Sequence, residues 1–248
     1  MNKTMVITGA SRGLGAAIAR GAAREGYRVA INYLNSSAEA EALRDELIGM
    51  GTEAVAIQAD MSTQRGVEHL FSEVDRLFGR LDVLIATSGI SGPMLPIEQL
   101  EQQRFNEVMA ANVNSVVFSA QAAVQRMSRK HGGEGGAILV MSSVATRLGG
   151  RPGMLAYTIS KGACDAFTVA MARELAETGI RINALRPGTI RTSIHDAYGG
   201  SAALAPIIPQ IPLRRLGEPE DVVGAALCLV SDKAAYIHGA ILDIGGGR

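Results

Sequence analysis

Apolar runs of strand length alternate along the chain with longer stretches in which apolar positions recur every three or four residues. The runs are TMVITGA (4–10), YRVAINY (27–33), EAVAIQAD (53–60), LDVLIATSG (81–89), GAILVMSS (136–143), IRINALRPG (180–188) and GAILDIGGG (239–247). The stretches between them predict helices over about 13–24, 37–50, 63–78, 97–129, 154–177 and 218–230. Strands that are apolar almost throughout, rather than alternating, belong to a parallel sheet covered on both faces. The βαβα order then implies a doubly wound α/β sheet of about seven strands with right-handed crossovers.

No repeat, low-complexity tract or linker divides this pattern, so one domain over 1–248 is expected. One segment interrupts it: RTSIHDAYGGSAALAPIIPQIPLRRLG, residues 191–217, which carries Pro206, Pro209 and Pro212. A connection that long inside a compact domain reads as a lid or binding loop. The HGGEGG stretch (131–136) reads as a plain surface turn.

Composition narrows the classes that remain. With 47% hydrophobic and 19% charged residues, the 248-residue chain can bury a sizeable core. Lys plus Arg equals Asp plus Glu at 24 each, so bulk charge draws it neither to nucleic acid nor to an anionic membrane. Five Phe, five Tyr and no Trp argue against stacking on single strands. No apolar run reaches the ~18 residues of a membrane span, and MNKTMVITGA passes into a strand without a signal-peptide pattern. Cys164 and Cys228 lie far apart in helical stretches and read as two reduced, buried thiols, which makes a cytoplasmic location the expectation.

Candidate chemistry begins after the first strand with T-G-A-S-R-G-L-G, Thr8 to Gly15. Gly9, Gly13 and Gly15, with Ser11, Arg12 and Leu14 between them, form a turn that can bring backbone close to a pyrophosphate. The following helix offers the anion its free N–H groups and positive end. The spacing G-x-x-x-G-x-G differs from the more familiar G-x-G-x-x-G dinucleotide turn. An acidic residue at the end of the second strand would bind the ribose hydroxyls of NAD and repel a 2′-phosphate. Here the strand ends I-N-Y-L-N-S-S, with no Asp or Glu from Ile31 to Ser37. Arg12 supplies a cation for a 2′-phosphate, helped by Asn32, Asn35 or Ser36, and Tyr33 at the same strand end is a further cofactor-binding candidate. The expected cofactor is therefore NADP(H) in preference to NAD(H). Asp60, followed by Met61, ends the third strand, where its carboxylate suits either an adenine amino group or a helix N-cap.

In Y-T-I-S-K, Tyr157 and Lys161 stand just over one helical turn apart and leave the same helix face. A charged lysine near a phenol favours its phenolate, which suits proton transfer; an ordinary exposed pair is the competing reading of the motif alone.

Taken together, these residues resemble the short-chain dehydrogenase/reductase family. The resemblance spans essentially the whole chain: the turn Thr8–Gly15, Asp60, Gly89, Asn112, Ser143, Tyr157 with Lys161, Arg186-Pro187-Gly188 and the closing GAILDIGGG. The C-terminal run and PLRRLGEPEDVV resemble the 3-oxoacyl-carrier-protein reductase and sugar dehydrogenase branches. The resemblance implies a Rossmann-type fold, a nicotinamide cofactor and an Asn112–Ser143–Tyr157–Lys161 tetrad. In it Tyr157 transfers the proton, and Lys161 supports Tyr157 and the nicotinamide ribose. Ser143, placed second after Ser142, bonds the substrate oxygen, and Asn112 holds a relay water. Pro187 and Gly188 would wall the nicotinamide, with Ile190 and Thr192 at its carboxamide. The family further implies a homotetramer and a small carbonyl or alcohol substrate.

Two departures from the family pattern stand out. Ala86-Thr87-Ser88-Gly89 replaces the usual Asn-Asn-Ala-Gly, removing side chains expected to brace the central sheet and ribose site. The stretch from Ser143 to Tyr157 is about one residue longer than in many relatives, which keeps Ser142 as an alternative. A His–Asp–Ser hydrolase built on His195 and Asp196 lacks a G-x-S-x-G elbow. His69, His131 and His238 lack metal-ligand spacing, so no catalytic metal is expected. A non-catalytic dinucleotide sensor or scaffold is the alternative function.

Overall fold

The computed structural model describes residues 2–194 and 200–248. Seven strands form one all-parallel sheet: β1 (Thr4–Thr8), β2 (Arg28–Tyr33), β3 (Ala54–Gln58), β4 (Val83–Ala86), β5 (Gly136–Met141), β6 (Ile180–Pro187) and β7 (Ile241–Ile244). The order is β3-β2-β1-β4-β5-β6-β7, so the winding reverses between β1 and β4. In doubly wound sheets the crevice opens at that reversal, beyond the carboxyl ends of the strands.

The apolar strands bury both faces. Met5, Ile7, Ile31, Ile85 and Leu139 pack on one side with α1 (Gly13–Arg24), α2 (Ser37–Gly49) and α8 (Glu220–Val230). Their neighbours Val6, Ala30, Leu84, Ile138 and Val140 face the other side. There they meet α3 (Gln64–Phe78), α5 (Ser115–Met127) and α7 (Leu155–Glu174). Alternation by one residue between the two cores is what continuous apolarity encodes in a covered parallel sheet. α1 can approach the sheet closely because Ala16, Ala17, Ala19, Ala22 and Ala23 form much of its buried face. Cys164 is buried as expected; Cys228 is exposed, on the outer side of α8, and corrects that expectation.

The helix expected over 97–129 is broken. A 3₁₀ turn (Ile97–Gln99) precedes α4 (Gln102–Met109), and a π turn (Ala110–Asn114) joins α4 to α5. The segment between Ser143 and Tyr157 holds one short helix, α6 (Ala145–Leu148). The described part of the 191–217 segment is more regular than its prolines suggest. Gly200–Gln210 winds as a 3₁₀ helix, and Leu204, Ile207, Ile211 and Leu216 bury one another in a small separate core. Arg191 N–H donates to Gly217 O at 2.8 Å and Gly217 N–H to Thr189 O at 3.0 Å, which pins the two ends of the segment together. Among the described residues no helix is long and apolar enough to cross a membrane.

Candidate active site

A cleft of about 760 Å³ opens above the carboxyl ends of β1, β4, β5 and β6. At one end it is lined by the turn between β1 and α1: Gly9, Arg12, Gly13, Leu14 and Gly15. Gly9 sits at φ +60°, and a Cβ there would fall 3.0 Å from Ser88 Cα. A Cβ at Gly15 would fall 2.7 Å from Ala10 Cα. Only glycine allows the backbone of this turn to fold so tightly and still face the cleft.

Thr87 and Ser88 answer the loss of the usual asparagines. Their backbone N–H groups both donate to Thr8 Oγ1 at 3.1 Å, and the Thr87 hydroxyl donates to Thr8 O. The β1–β4 junction is thus braced by short hydroxyl side chains in place of the asparagines.

At the centre of the cleft, the first turns of α7 present Tyr157 and Lys161. The Lys161 ammonium lies 5.8 Å from the centre of the Tyr157 ring. Lys161 is buried, and its Nζ donates to Met141 O at 2.8 Å, which fixes the long side chain beneath the phenol. Tyr157 stands in the first turn of this twenty-residue helix. Ser143 lines the cleft after β5, its Oγ accepting from Ala145 N–H at 3.1 Å. Ser142 lines the cleft beside it, but its hydroxyl donates to Lys161 O at 3.2 Å, so it helps hold α7. Pro187, Gly188, Ile190, Thr192 and Gly89 complete the neighbouring walls.

Asn112 lies just behind this wall, fully buried in the π turn. Its Oδ1 accepts from Ile90 N–H at 2.7 Å, and its Nδ2 donates to Ile90 O and to Ser160 Oγ, each at 2.9 Å. The side chain is a clasp between the β4 loop, α7 and the π turn. Nothing in the sequence pairs Ile90 with Asn112, because that contact spans two elements.

The remaining expected cofactor residues do not line the cleft. Asn32 is buried, with Oδ1 accepting from Gly9 N–H at 3.1 Å and Nδ2 donating to Ala59 O at 3.0 Å. It supports the glycine turn from below, and this corrects its expected place beside a 2′-phosphate. Tyr33 is buried with its hydroxyl 3.4 Å from Ser37 Oγ, and Met61 belongs to the core with Val67 and Phe71. Asp60 Oδ1 accepts from Ser62 N–H at 2.9 Å and from Ser62 Oγ at 2.7 Å. Thr63, not Asp60, caps α3, accepting from Gly66 N–H at 3.1 Å. Ser11 stands on the turn outside the cleft lining. His195 and Asp196 lie outside the described residues.

The far end of the cleft was not foreseen in detail. Leu148, Met154, Ile194, Leu204 and Ile207 give it apolar walls, and Arg104, Glu107, Arg151 and Arg248 stand there too. Arg104 is paired with Glu107 at 2.9 Å.

A seven-stranded doubly wound sheet with a glycine turn, a Tyr–Lys helix face and a serine meeting in one cleft defines an oxidoreductase architecture, and sequence comparison agrees. The family model described as enoyl-(acyl carrier protein) reductase matches residues 9–248, and the chain belongs to the short-chain dehydrogenase/reductase family of oxidoreductases. It is 38% identical over 243 residues to the uncharacterized oxidoreductase YgfF of Escherichia coli (strain K12), covering 98% of each chain. It is 37% identical over 247 residues to the 3-oxoacyl-[acyl-carrier-protein] reductase FabG of Staphylococcus aureus (strain Mu50 / ATCC 700699), covering 100% of this chain and 98% of that one. Among solved structures, a 7α-hydroxysteroid dehydrogenase complexed with NADH and 7-oxo glycochenodeoxycholic acid superposes with a TM-score of 0.92 at 30% identity. That match covers 99% of this chain and 93% of the other.

Proposed function

We propose that the protein is an NADP(H)-dependent oxidoreductase that interconverts a carbonyl and a secondary alcohol. The observation that carries the reading is the meeting of Tyr157, Lys161 and Ser143 in the cleft that begins at the glycine turn. The residues present fit a dinucleotide. The tight turn at Gly9 and Gly15 brings backbone up to the cleft, and α1 begins at Gly13 with its N–H groups free for an anion. Gly9, Arg12, Gly13, Leu14 and Gly15 would hold the phosphates, and Gly89, Pro187, Gly188, Ile190 and Thr192 the nicotinamide end. When bound, the dinucleotide supplies or accepts the hydride.

The chain's own residues manage the proton and the developing charge. Tyr157 donates its proton to the substrate oxygen in reduction and takes it back in oxidation. Lys161, fixed by Met141 O, places its positive charge beside the phenol and would hold the ribose hydroxyls. Ser143 stabilises the same substrate oxygen as negative charge grows on it. Asn112 has both amide hydrogens engaged by Ile90 and Ser160, so a relay water would rest on its oxygens. The apolar walls supplied by Leu204 and Ile207 suit a moderately apolar small molecule. Val169 on α7 and Leu242 on the edge strand β7 are exposed, which supports the homotetramer that the family implies. We place the protein in the cytoplasm.

Arg12 carries the preference for NADP(H). It is exposed at the cleft, no ion pair engages it among the described residues, and no carboxylate follows on β2. A paired titration with NADPH and NADH, read by nicotinamide fluorescence, tests this. NADPH is expected to bind more tightly. Arg12→Ala should weaken NADPH about 10- to 100-fold, as expected for a lost charged hydrogen bond, and NADH by less than about threefold. Equal losses on the two cofactors would overturn the assignment.

A further inference from the structure

The π turn beneath the Tyr157–Lys161 face has a side-chain donor from α7 that the reaction outlined above does not use. In a π turn the backbone N–H reaches back five residues instead of four, so neighbouring carbonyls must find other donors. Ser115 N–H donates to Ala110 O in this way. Ser115 Oγ takes the next carbonyl, donating to Ala111 O at 2.6 Å. The carbonyl of Asn112 is met by Cys164 Sγ at 3.4 Å.

Cys164 follows Lys161 by three residues and Tyr157 by seven, spacings that place all three along one side of α7. Its side chain is buried, with 1% exposure. Burial pushes the thiol up from its ordinary value, so at neutral pH it keeps its proton and acts as a donor. Asn112 is therefore held from three directions: by Ile90, by Ser160 and by Cys164. Asn112 and Lys161 converge on one spot of backbone. A Cβ at Gly89 would lie 2.9 Å from Asn112 Oδ1 and 3.5 Å from Lys161 Nζ.

We propose that Cys164 is a positioning residue: its S–H bond to the Asn112 carbonyl holds the π turn in register, and with it the Asn112 clasp that faces Lys161. The proposal rests on the reading of Tyr157 and Lys161 as the proton-transfer pair. A thiol is a weak donor, so the effect is a tuning of turnover and not its loss. The thiol transfers no group and is not oxidised in this role.

Two variants of the chain, Cys164→Val and Cys164→Ser, separate the hydrogen bond from packing. Valine keeps much of the volume without a donor, and serine restores one. Cys164→Val should lower kcat about three- to tenfold and shift the pH profile of kcat, with NADPH affinity unchanged within about twofold. Cys164→Ser should stay within about twofold of the parent in all three. Unchanged kcat and pH profile in Cys164→Val would overturn the proposal, as would equal losses in both variants. If the valine variant does not bind NADPH, Cys164→Ala against Cys164→Ser gives the same contrast. Tyr157→Phe, run in parallel, keeps the two readings apart. An inactive Tyr157→Phe beside a parent-like Cys164→Val removes only the Cys164 proposal, whereas an active Tyr157→Phe removes the proton-transfer reading itself.

Discussion

At the glycine-turn end, the walls of the cleft are backbone held at the edge of the sheet: Gly9 and Gly15 leave no room for a side chain, and Asn32, Thr8 and Thr87 brace the turn. At the other end, the walls are side chains carried by segments outside the sheet. Leu148 ends the short α6, Met154 precedes α7, and Leu204 and Ile207 belong to the 3₁₀ segment with its own small core. The first end is anchored by hydrogen bonds between elements far apart in sequence. The second is tied to the body through Thr189, Arg191 and Gly217, with Arg215 paired to Asp221 on α8 at 2.5 Å. The difference teaches which end carries what. Backbone at a sheet edge suits a ligand part that never varies, while side chains on an attached loop suit a part that does.

This contrast can be broken at either end. The largest effect is expected from Gly15→Ala. The added methyl would meet backbone at 2.7 Å from Ala10 Cα and 2.8 Å from Gly9 O, with the Thr87 hydroxyl at 3.1 Å, so the turn must shift. Dinucleotide affinity should fall about 30- to 100-fold in a fluorescence titration, in keeping with a strained backbone of ~2–3 kcal/mol. A loss below threefold would show that the turn yields easily and would dissolve the contrast. A smaller and differently placed effect is expected from Ile207→Ala, which removes apolar wall at the other end. The KM of the carbonyl substrate should rise about five- to tenfold while NADPH affinity stays put. A matching loss in NADPH affinity would mean that the loop supports both ends.

The smallest effect concerns the tie between loop and body. Asp221 accepts from Arg215 and from Glu218 N–H, and these hold its carboxyl at about 2, below the usual carboxylate range. A depressed value means that the carboxylate stabilises the fold above pH ~4 and loses that contribution as pH falls toward ~2. Because the pair is partly exposed, Asp221→Asn should cost only about 0.5–1 kcal/mol near neutral pH. In thermal melts taken between neutral pH and pH ~3, the gap between parent and variant should narrow with acid. A gap that widens on acidification would contradict the assignment.

The same contrast explains what the sequence disclosed. The strands, the helices and the glycine turn are local patterns, and Thr8–Gly15 and Tyr157–Lys161 each carry their geometry within one helical turn or one tight loop. Contacts between elements were hidden. The Asn112–Ile90 clasp, the Thr8 hydroxyl shared by two backbone donors and the π turn depend on chains brought together only by the fold. Asn32 was partly legible after all. Alternation on β2 puts it on the side of Ala30, whose side chain faces the α3 core, and so beneath the turn. The loop's small core was obscured because Pro206 and Pro209 suggested irregular chain, although its Leu and Ile positions recur with helical spacing.

The central claim is that Tyr157 transfers the proton in a dinucleotide-dependent carbonyl–alcohol reaction. It is tested most directly by comparing the parent and Tyr157→Phe for NADPH binding and for turnover of a carbonyl substrate that the parent reduces. The account predicts NADPH affinity within about twofold of the parent, and a kcat lower by roughly a thousandfold, within the range lost with a general acid. Turnover within tenfold of the parent, with binding intact, would contradict it.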